Sequence, residues 1–86
     1  MEEETSLDRL PPDRRAVVQE VFAQGAQRRR LQELGFVPGA QVECVGISPL
    51  GDPKAYQLRG TVIALRRRDA RPVRVAFLSK YRNLGV

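Results

Sequence analysis

The chain of 86 residues allows one domain with a small core, because a chain of this size buries only about 60% of the surface that its unfolded form exposes. It contains no histidine and a single cysteine, Cys44, so one copy can build neither a disulfide framework nor a zinc cluster, and Ser-His or Cys-His nucleophile pairs are excluded. No apolar run approaches the roughly 20 residues that span a bilayer, so a membrane-spanning segment is not predicted. With a net charge of +5, the composition predicts a basic cytoplasmic domain that is not secreted.

The charge is unevenly distributed along the chain. Residues 1–13 contain five acids and one arginine, a net charge of −4, which leaves +9 for residues 14–86. A basic body attracts nucleic acid, anionic lipid headgroups or an acidic protein, and charge alone does not choose among them.

The predicted domain boundaries follow this change in charge. We expect an acidic, mobile leader over residues 1–13, a folded domain over residues 14–78 and a tail without clear pattern over residues 79–86. Leu7 and Leu10 offer apolar contacts that would attach the end of the leader to the body before the two prolines that follow.

The first predicted elements of the folded domain are a strand over residues 16–22 and a helix over residues 26–34. The first segment is rich in β-branched residues, and the second consists almost entirely of good helix formers. Gly35 supplies a stop signal. If Gly35 is left-handed, Phe36 can pack on Leu31 in a Schellman-type ending.

The rest of the domain is predicted to consist of strands separated by tight turns. The polar-apolar pattern changes phase at Gly46, where we expect a bend or bulge, and Cys44 falls on the inward face. Residues 66–70 are too few for a stable helix and are predicted to be a turn. The predicted strands cover residues 40–47, 54–59, 61–65 and 73–77. In the strands over residues 54–59 and 61–65, the side chains expected to face inward are Tyr56, Leu58, Thr61, Ile63 and Leu65.

About five to six short strands with one short helix predict a mainly β fold, a small barrel of the SH3-like kind. Backbone geometry alone accounts for the glycines and prolines at the turns. These structural turn residues are Gly35, Pro38, Gly39, Pro49, Gly51, Pro53 and Gly60.

No enzyme is predicted, because the sequence lacks histidine and both common phosphate-binding glycine motifs. Specific nucleic-acid binding is also not predicted, because it needs exposed aromatic side chains. Four of the five aromatic residues fall at positions expected to be buried: Phe22, Phe36, Tyr56 and Phe77. The arginines at 28–30 and 66–68 could still contact phosphates weakly and in a salt-sensitive way.

The residues around the helix exit and the following turns resemble the FeoA family. The similarity covers roughly residues 7–78. It is carried by Arg29-Arg30-Leu31, Leu34-Gly35-Phe36-Val37-Pro38-Gly39, Pro49-Leu50-Gly51-Asp52-Pro53, Arg59-Gly60, Ile63-Ala64-Leu65-Arg66 and Ala70. Two positions depart from the family pattern, Asp13 in place of a turn glycine and Lys54 in place of an aliphatic residue.

The resemblance implies a cytoplasmic SH3-like domain that assists FeoB, the membrane ferrous iron transporter with a GTP-binding domain. It implies no catalytic residue, and no cofactor or metal site is evident. The residues predicted to contact the partner are Leu50, Asp52, Arg59, Arg28 and Arg30. Leu50 has two interpretations, a plug for the barrel end or a partner contact. For Arg28 and Arg30 the alternative is that their stems cover apolar surface.

The predicted function is therefore a non-enzymatic accessory protein that docks on the cytoplasmic region of FeoB and modulates it, without inserting into the membrane. Two alternatives remain open at this point. One is a small basic barrel that binds RNA or another polyanion, and the other is a domain that self-associates through exposed strand edges.

Overall fold

The computed structural model describes residues 3–78, and the predicted tail over residues 79–86 lies outside the described residues. The described chain contains six strands, one 3-10 helix and two α-helices. The strands are β1 (Glu4–Ser6), β2 (Arg15–Val21), β3 (Gln41–Ile47), β4 (Lys54–Leu58), β5 (Thr61–Leu65) and β6 (Val73–Phe77). The 3-10 helix is Leu7–Arg9, and the α-helices are α1 (Gly25–Leu34) and α2 (Arg67–Ala70). The predicted mainly β class is confirmed.

The six strands form one sheet in the order β1-β6-β2-β3-β4-β5, and every neighbouring pair is antiparallel. Its inward face, together with α1 and the 3-10 helix, surrounds one apolar core. The largest fully buried side chains include Tyr56, Phe36, Leu7, Leu10 and Leu58.

A bulge in β2 changes which side chains this strand buries. Val18 and Glu20 pair with successive residues of β6, so Gln19 is an extra residue on β2. Side chains alternate between the two faces of a strand, and one extra residue reverses the alternation beyond it. Val21 therefore points into the core, while Phe22 is 66% exposed. The predicted burial of Phe22 is wrong for this reason.

A second bulge lies in β3, where the sequence predicted it. Cys44 and Gly46 pair with successive residues of β4, so Val45 is the extra residue. Cys44 is fully buried, as expected, whereas Val45 is 42% and Ile47 44% exposed.

The β4–β5 hairpin matches its predicted bounds except at Arg59, which lies in the turn, and it differs at one residue in burial. Tyr56, Leu58 and Leu65 are buried, and Ile63 is half-buried against the core. Thr61, predicted to face inward, is exposed. It pairs with Leu58 at the tip of the hairpin, beside the turn, where the core ends.

Helix α1 ends in the predicted Schellman motif. Gly35 has a positive φ of 111°, and its N–H donates to the carbonyl oxygen of Gln32 at 3.0 Å. The N–H of Phe36 donates to the carbonyl oxygen of Leu31, also at 3.0 Å. Phe36 and Leu31 are both buried in the core, so the helix end and the hydrophobic packing stabilise each other.

The sequence predicted that ordered structure begins at Arg14, but it begins earlier in the chain. Strand β1 pairs with β6, and both Leu7 and Leu10 are fully buried. These two apolar contacts hold a segment whose charge alone suggested a solvated leader. Asp13, which replaces the family's turn glycine, has a positive φ of 67°, a conformation that aspartate tolerates better than most side chains.

Residues 67–70 form the short helix α2 rather than the predicted turn. A single helical turn is unstable alone, because nucleation fixes several residues for one hydrogen bond. Here Ala70 is fully buried, and the carboxylate of Asp52 accepts a hydrogen bond from the first N–H of the helix. Both contacts come from segments distant in sequence, so local reasoning could not include them.

We predict that Gly35→Ala destabilises the fold more than Gly39→Ala. Both glycines have positive φ, which costs a residue with a side chain about 1 kcal/mol. A Cβ at Gly35 would lie 2.9 Å from Cδ2 of Leu58, which is buried and cannot swing away, whereas a Cβ at Gly39 would meet no atom within 4 Å. Urea unfolding should give a further loss of about 1–2 kcal/mol for Gly35→Ala. Equal losses for the two variants would contradict the close approach.

We also predict an effect of Tyr56→Phe that depends on pH. The buried hydroxyl of Tyr56 donates to the carbonyl oxygen of Leu7 at 3.3 Å, so its removal should cost about 0.5–1.5 kcal/mol near neutral pH. Burial raises the pKa of Tyr56 above its ordinary value. The folded protein therefore holds this proton more tightly than the unfolded chain, whose tyrosine pKa is about 10. The free energy of unfolding is unaffected below about pH 10 and falls as the pH rises further.

The free energy of unfolding of the wild type should therefore fall above about pH 10, and Tyr56→Phe should fall less steeply. Chemical unfolding monitored by circular dichroism at several pH values measures this difference. Parallel alkaline slopes in the two proteins would count against a role for Tyr56.

Candidate partner-binding surface

The turn between β3 and β4 presents Leu50 to solvent. The N–H of Gly51 donates to the carbonyl oxygen of Ser48 at 2.8 Å, and the N–H of Ser48 donates to that of Pro53 at 3.2 Å. These bonds close the turn around Leu50, whose side chain is 94% exposed. Leu50 therefore does not plug the barrel end, which was one of its two interpretations.

Asp52 joins this turn to helix α2. Its Oδ1 accepts a hydrogen bond of 2.8 Å from the backbone N–H of Arg67, the first residue of the helix. The residue at the usual capping position, Arg66, makes no side-chain capping bond. Asp52 thus acts as the cap of α2 from a distant loop and is at most partly available to a partner.

Four exposed arginines surround this cap. Arg66, Arg67, Arg68 and Arg71, here called the basic face, line a shallow groove together with Asp52. The ion pair found among residues 3–78 joins Arg74 to Glu4, at 3.8 Å. The guanidinium groups of the basic face therefore have no carboxylate partner in the described chain. Arg71 was not predicted from the sequence, although the density of arginines just before it was a signal.

The two predicted helix arginines, Arg28 and Arg30, have different surroundings. Arg30 shares a groove between α1 and α2 with Arg68 and Asp69. Arg28 instead turns toward the end of β2, where its Nη1 donates to the carbonyl oxygen of Val21 at 3.4 Å. Arg28 therefore has a contact within the domain, and Arg30 does not have one among the described residues.

Arg59 lies at the opposite end of β4 from Leu50, and the length of this strand separates the two by roughly 17 Å. With Gly60 it forms the two-residue turn of the β4–β5 hairpin, and both residues have positive φ, 55° for Arg59 and 79° for Gly60. Such turns favour Asn, Asp or Gly at both positions, so arginine is an unusual occupant. Its Cδ lies 3.8 Å from where a Cβ would stand at Gly35.

The predicted partner-contact residues therefore do not form one surface. Leu50, Asp52 and Arg30 lie at the α2 end of the barrel with the basic face, and Arg59 lies at the hairpin end.

Two further observations concern metal ligands and membrane crossing. Within residues 3–78, no cluster of three His, Cys, Asp or Glu side chains has a geometry that could hold a metal ion. Over the same residues, no helix combines the length and apolar character needed to cross a membrane.

In a comparison with known protein families, residues 5–76 match the FeoA domain. A curated relative is the Fe(2+) transport protein A/Fe(2+) transporter FeoB fusion protein of Porphyromonas gingivalis, which is 36% identical over 73 residues. The aligned region is 85% of this chain and 9% of that protein, so the chain spans only a small part of the relative's length.

Solved structures of similar proteins have the same fold. The FeoA protein of Chlorobium tepidum is 37% identical, with a TM-score of 0.81 over 87% of this chain and 71% of that one. Stenotrophomonas maltophilia FeoA, crystallised with zinc and described as an SH3 domain protein, is 41% identical, with a TM-score of 0.74 over 83% of this chain and 88% of that one. The predicted SH3-like architecture is confirmed.

We predict that Asp52→Ala destabilises the protein by about 1 kcal/mol, because it removes the cap of α2. Asp52→Asn keeps an oxygen that can accept the same hydrogen bond, so its loss should be smaller. Glu33→Ala, on the exposed surface of α1, is a control for the removal of one negative charge. Urea unfolding measures the three losses, and hydrogen exchange of the Arg67 amide should accelerate in Asp52→Ala alone. Unchanged exchange of that amide would contradict the capping role.

Proposed function

The chain belongs to the FeoA family, and we propose that it is a non-enzymatic cytoplasmic accessory protein of ferrous iron uptake. In this proposal it docks on the cytoplasmic region of a FeoB transporter and modulates it. The observation that carries the proposal is the relative from Porphyromonas gingivalis, in which an FeoA sequence and FeoB are parts of one polypeptide. Two modules fused in one protein commonly act together, and separate chains of the same families are then expected to associate.

A second relative supports the same role. Stenotrophomonas maltophilia FeoA has been proposed to act as a bacterial ferrous iron transport activating factor. A small domain without a catalytic constellation can activate or restrain a transporter by binding it, because a ligand that prefers one conformational state shifts the population toward that state.

We assign the FeoB contact to Arg59 at the hairpin end. A non-glycine residue held in the left-handed region stores strain, and such strain is concentrated at functional sites. Arg59 is exposed beside a groove that also contains Gln41, Glu43 and Gln57. An arginine can form a bidentate pair with a carboxylate, so an acidic patch on the cytoplasmic region of FeoB is the expected counterpart.

We predict that Arg59→Glu weakens binding to the isolated cytoplasmic region of FeoB by about tenfold or more, because it replaces attraction by repulsion at the contact. Arg29→Glu is a matched control, since Arg29 is exposed on α1 and the change in charge is the same. Isothermal titration or biolayer interferometry measures the affinities, and thermal unfolding shows that both variants are folded.

The result can contradict the proposal in two ways. If the wild type does not bind this region of FeoB, docking itself is wrong. If Arg59→Glu binds like the wild type while Leu50→Asp does not, the docking surface is the α2 end instead.

A further inference from the structure

We propose that the α2 end of the barrel is a peripheral membrane-binding surface, in which the basic face contacts anionic lipid headgroups and Leu50 enters the headgroup layer. The proposal concerns surface contact and not a membrane span. It does not depend on docking to FeoB, because Arg59 lies at the other end of the domain.

The first observation is the excess of positive charge at this end. The basic face consists of Arg66, Arg67, Arg68 and Arg71, all exposed and all without a carboxylate partner among residues 3–78. Of the acids near these arginines, Asp52 accepts the N–H of Arg67 through its carboxylate and Glu4 pairs with Arg74. Asp69 on α2 is half-buried, so the four arginines outnumber the two acids of this end, Asp52 and Asp69.

An adjoining groove extends the basic face to one side. It is lined by four arginines and two acids, together with two small polar residues: Arg9, Arg67, Arg71, Arg74, Glu4, Asp8, Thr5 and Ser6. The cations in it outnumber the acids, so the positive field spreads across this end of the barrel. A broad, shallow array of cations fits a layer of headgroups better than a single small anion.

The second observation is the position of Leu50. The side chain is 94% exposed at the tip of a hydrogen-bonded turn, and it stands two residues before Asp52, which is bonded to Arg67. An apolar side chain at a fixed loop tip beside cations is the combination that peripheral membrane proteins use. Each part adds to binding, the cations through attraction to anionic lipid and the leucine through burial of apolar surface.

The nature of the exposed side chain favours lipid over RNA. Leucine has no aromatic face on which a base can stack, whereas it gains from contact with the acyl boundary. An exposed aromatic residue does lie close by, since the N–H of Phe22 donates to the carbonyl oxygen of Pro72, the residue after Arg71. Phe22 can serve either ligand, so the effect of replacing Leu50 is the property that separates the two.

The test uses the full chain and vesicles of defined composition. Sedimentation with vesicles of phosphatidylcholine containing about one third phosphatidylglycerol should show binding that weakens with added salt, and vesicles of pure phosphatidylcholine should show little. Arg66→Gln with Arg68→Gln should lower the partition coefficient by roughly twenty-fivefold, since each arginine near an anionic surface contributes about fivefold. Arg15→Gln with Arg29→Gln is the matched control, because it removes the same charge from exposed positions elsewhere.

Leu50→Ser should lower binding to the anionic vesicles by about tenfold and leave any binding of single-stranded RNA unchanged.

Equal losses for the two arginine pairs would overturn the basic face as the site, because net charge alone would then explain the attraction. Unchanged vesicle binding of Leu50→Ser would overturn the entry of Leu50. Tight binding of RNA by a wild type that ignores anionic vesicles would assign the basic face to a nucleic acid instead. None of these outcomes depends on FeoB, which is absent from the assay.

Discussion

Two extra residues in the sheet, at the bulges of β2 and β3, determine which side chains this small barrel buries. With 86 residues there is one core, and alternate positions of each strand supply most of it. Beyond the bulge in β2 the alternation is reversed, so Val21 replaces Phe22 in the core, and the bulge in β3 makes Val45 an extra residue that is left exposed. The exposed surface of the domain is therefore a consequence of register as much as of composition.

The α2 end shows how a short element can organise a surface. The carboxylate of Asp52 and the burial of Ala70 hold a single helical turn that would not form alone. That turn spreads the arginines of the basic face around Asp52, which stands two residues after Leu50. The cap that Asp52 provides thus connects the β3–β4 turn, which carries part of the resemblance to the FeoA family, to the arginines of the basic face.

The separation of Leu50 from Arg59 changes the functional interpretation. A single docking surface that includes both would have to extend along the whole of β4. Two surfaces at opposite ends allow two contacts at once, and this arrangement suits the action beside a membrane transporter that we propose. In our proposals the hairpin end contacts the protein partner and the α2 end contacts lipid.

Features that depend on neighbouring residues could be predicted from the sequence: helix α1 and its Schellman ending at Gly35, the bend at Gly46, the β4–β5 hairpin and the family. Propensity, turn chemistry and alternation act over a few residues, so they are visible in the order of the chain. Four other features could be found in the folded protein alone: the exposure of Phe22, the helical state of residues 67–70, the attachment of Leu7 and Leu10 and the division of the predicted contact residues between two ends. Each of these depends on a contact between segments far apart in sequence, and such contacts exist only once the strands have paired.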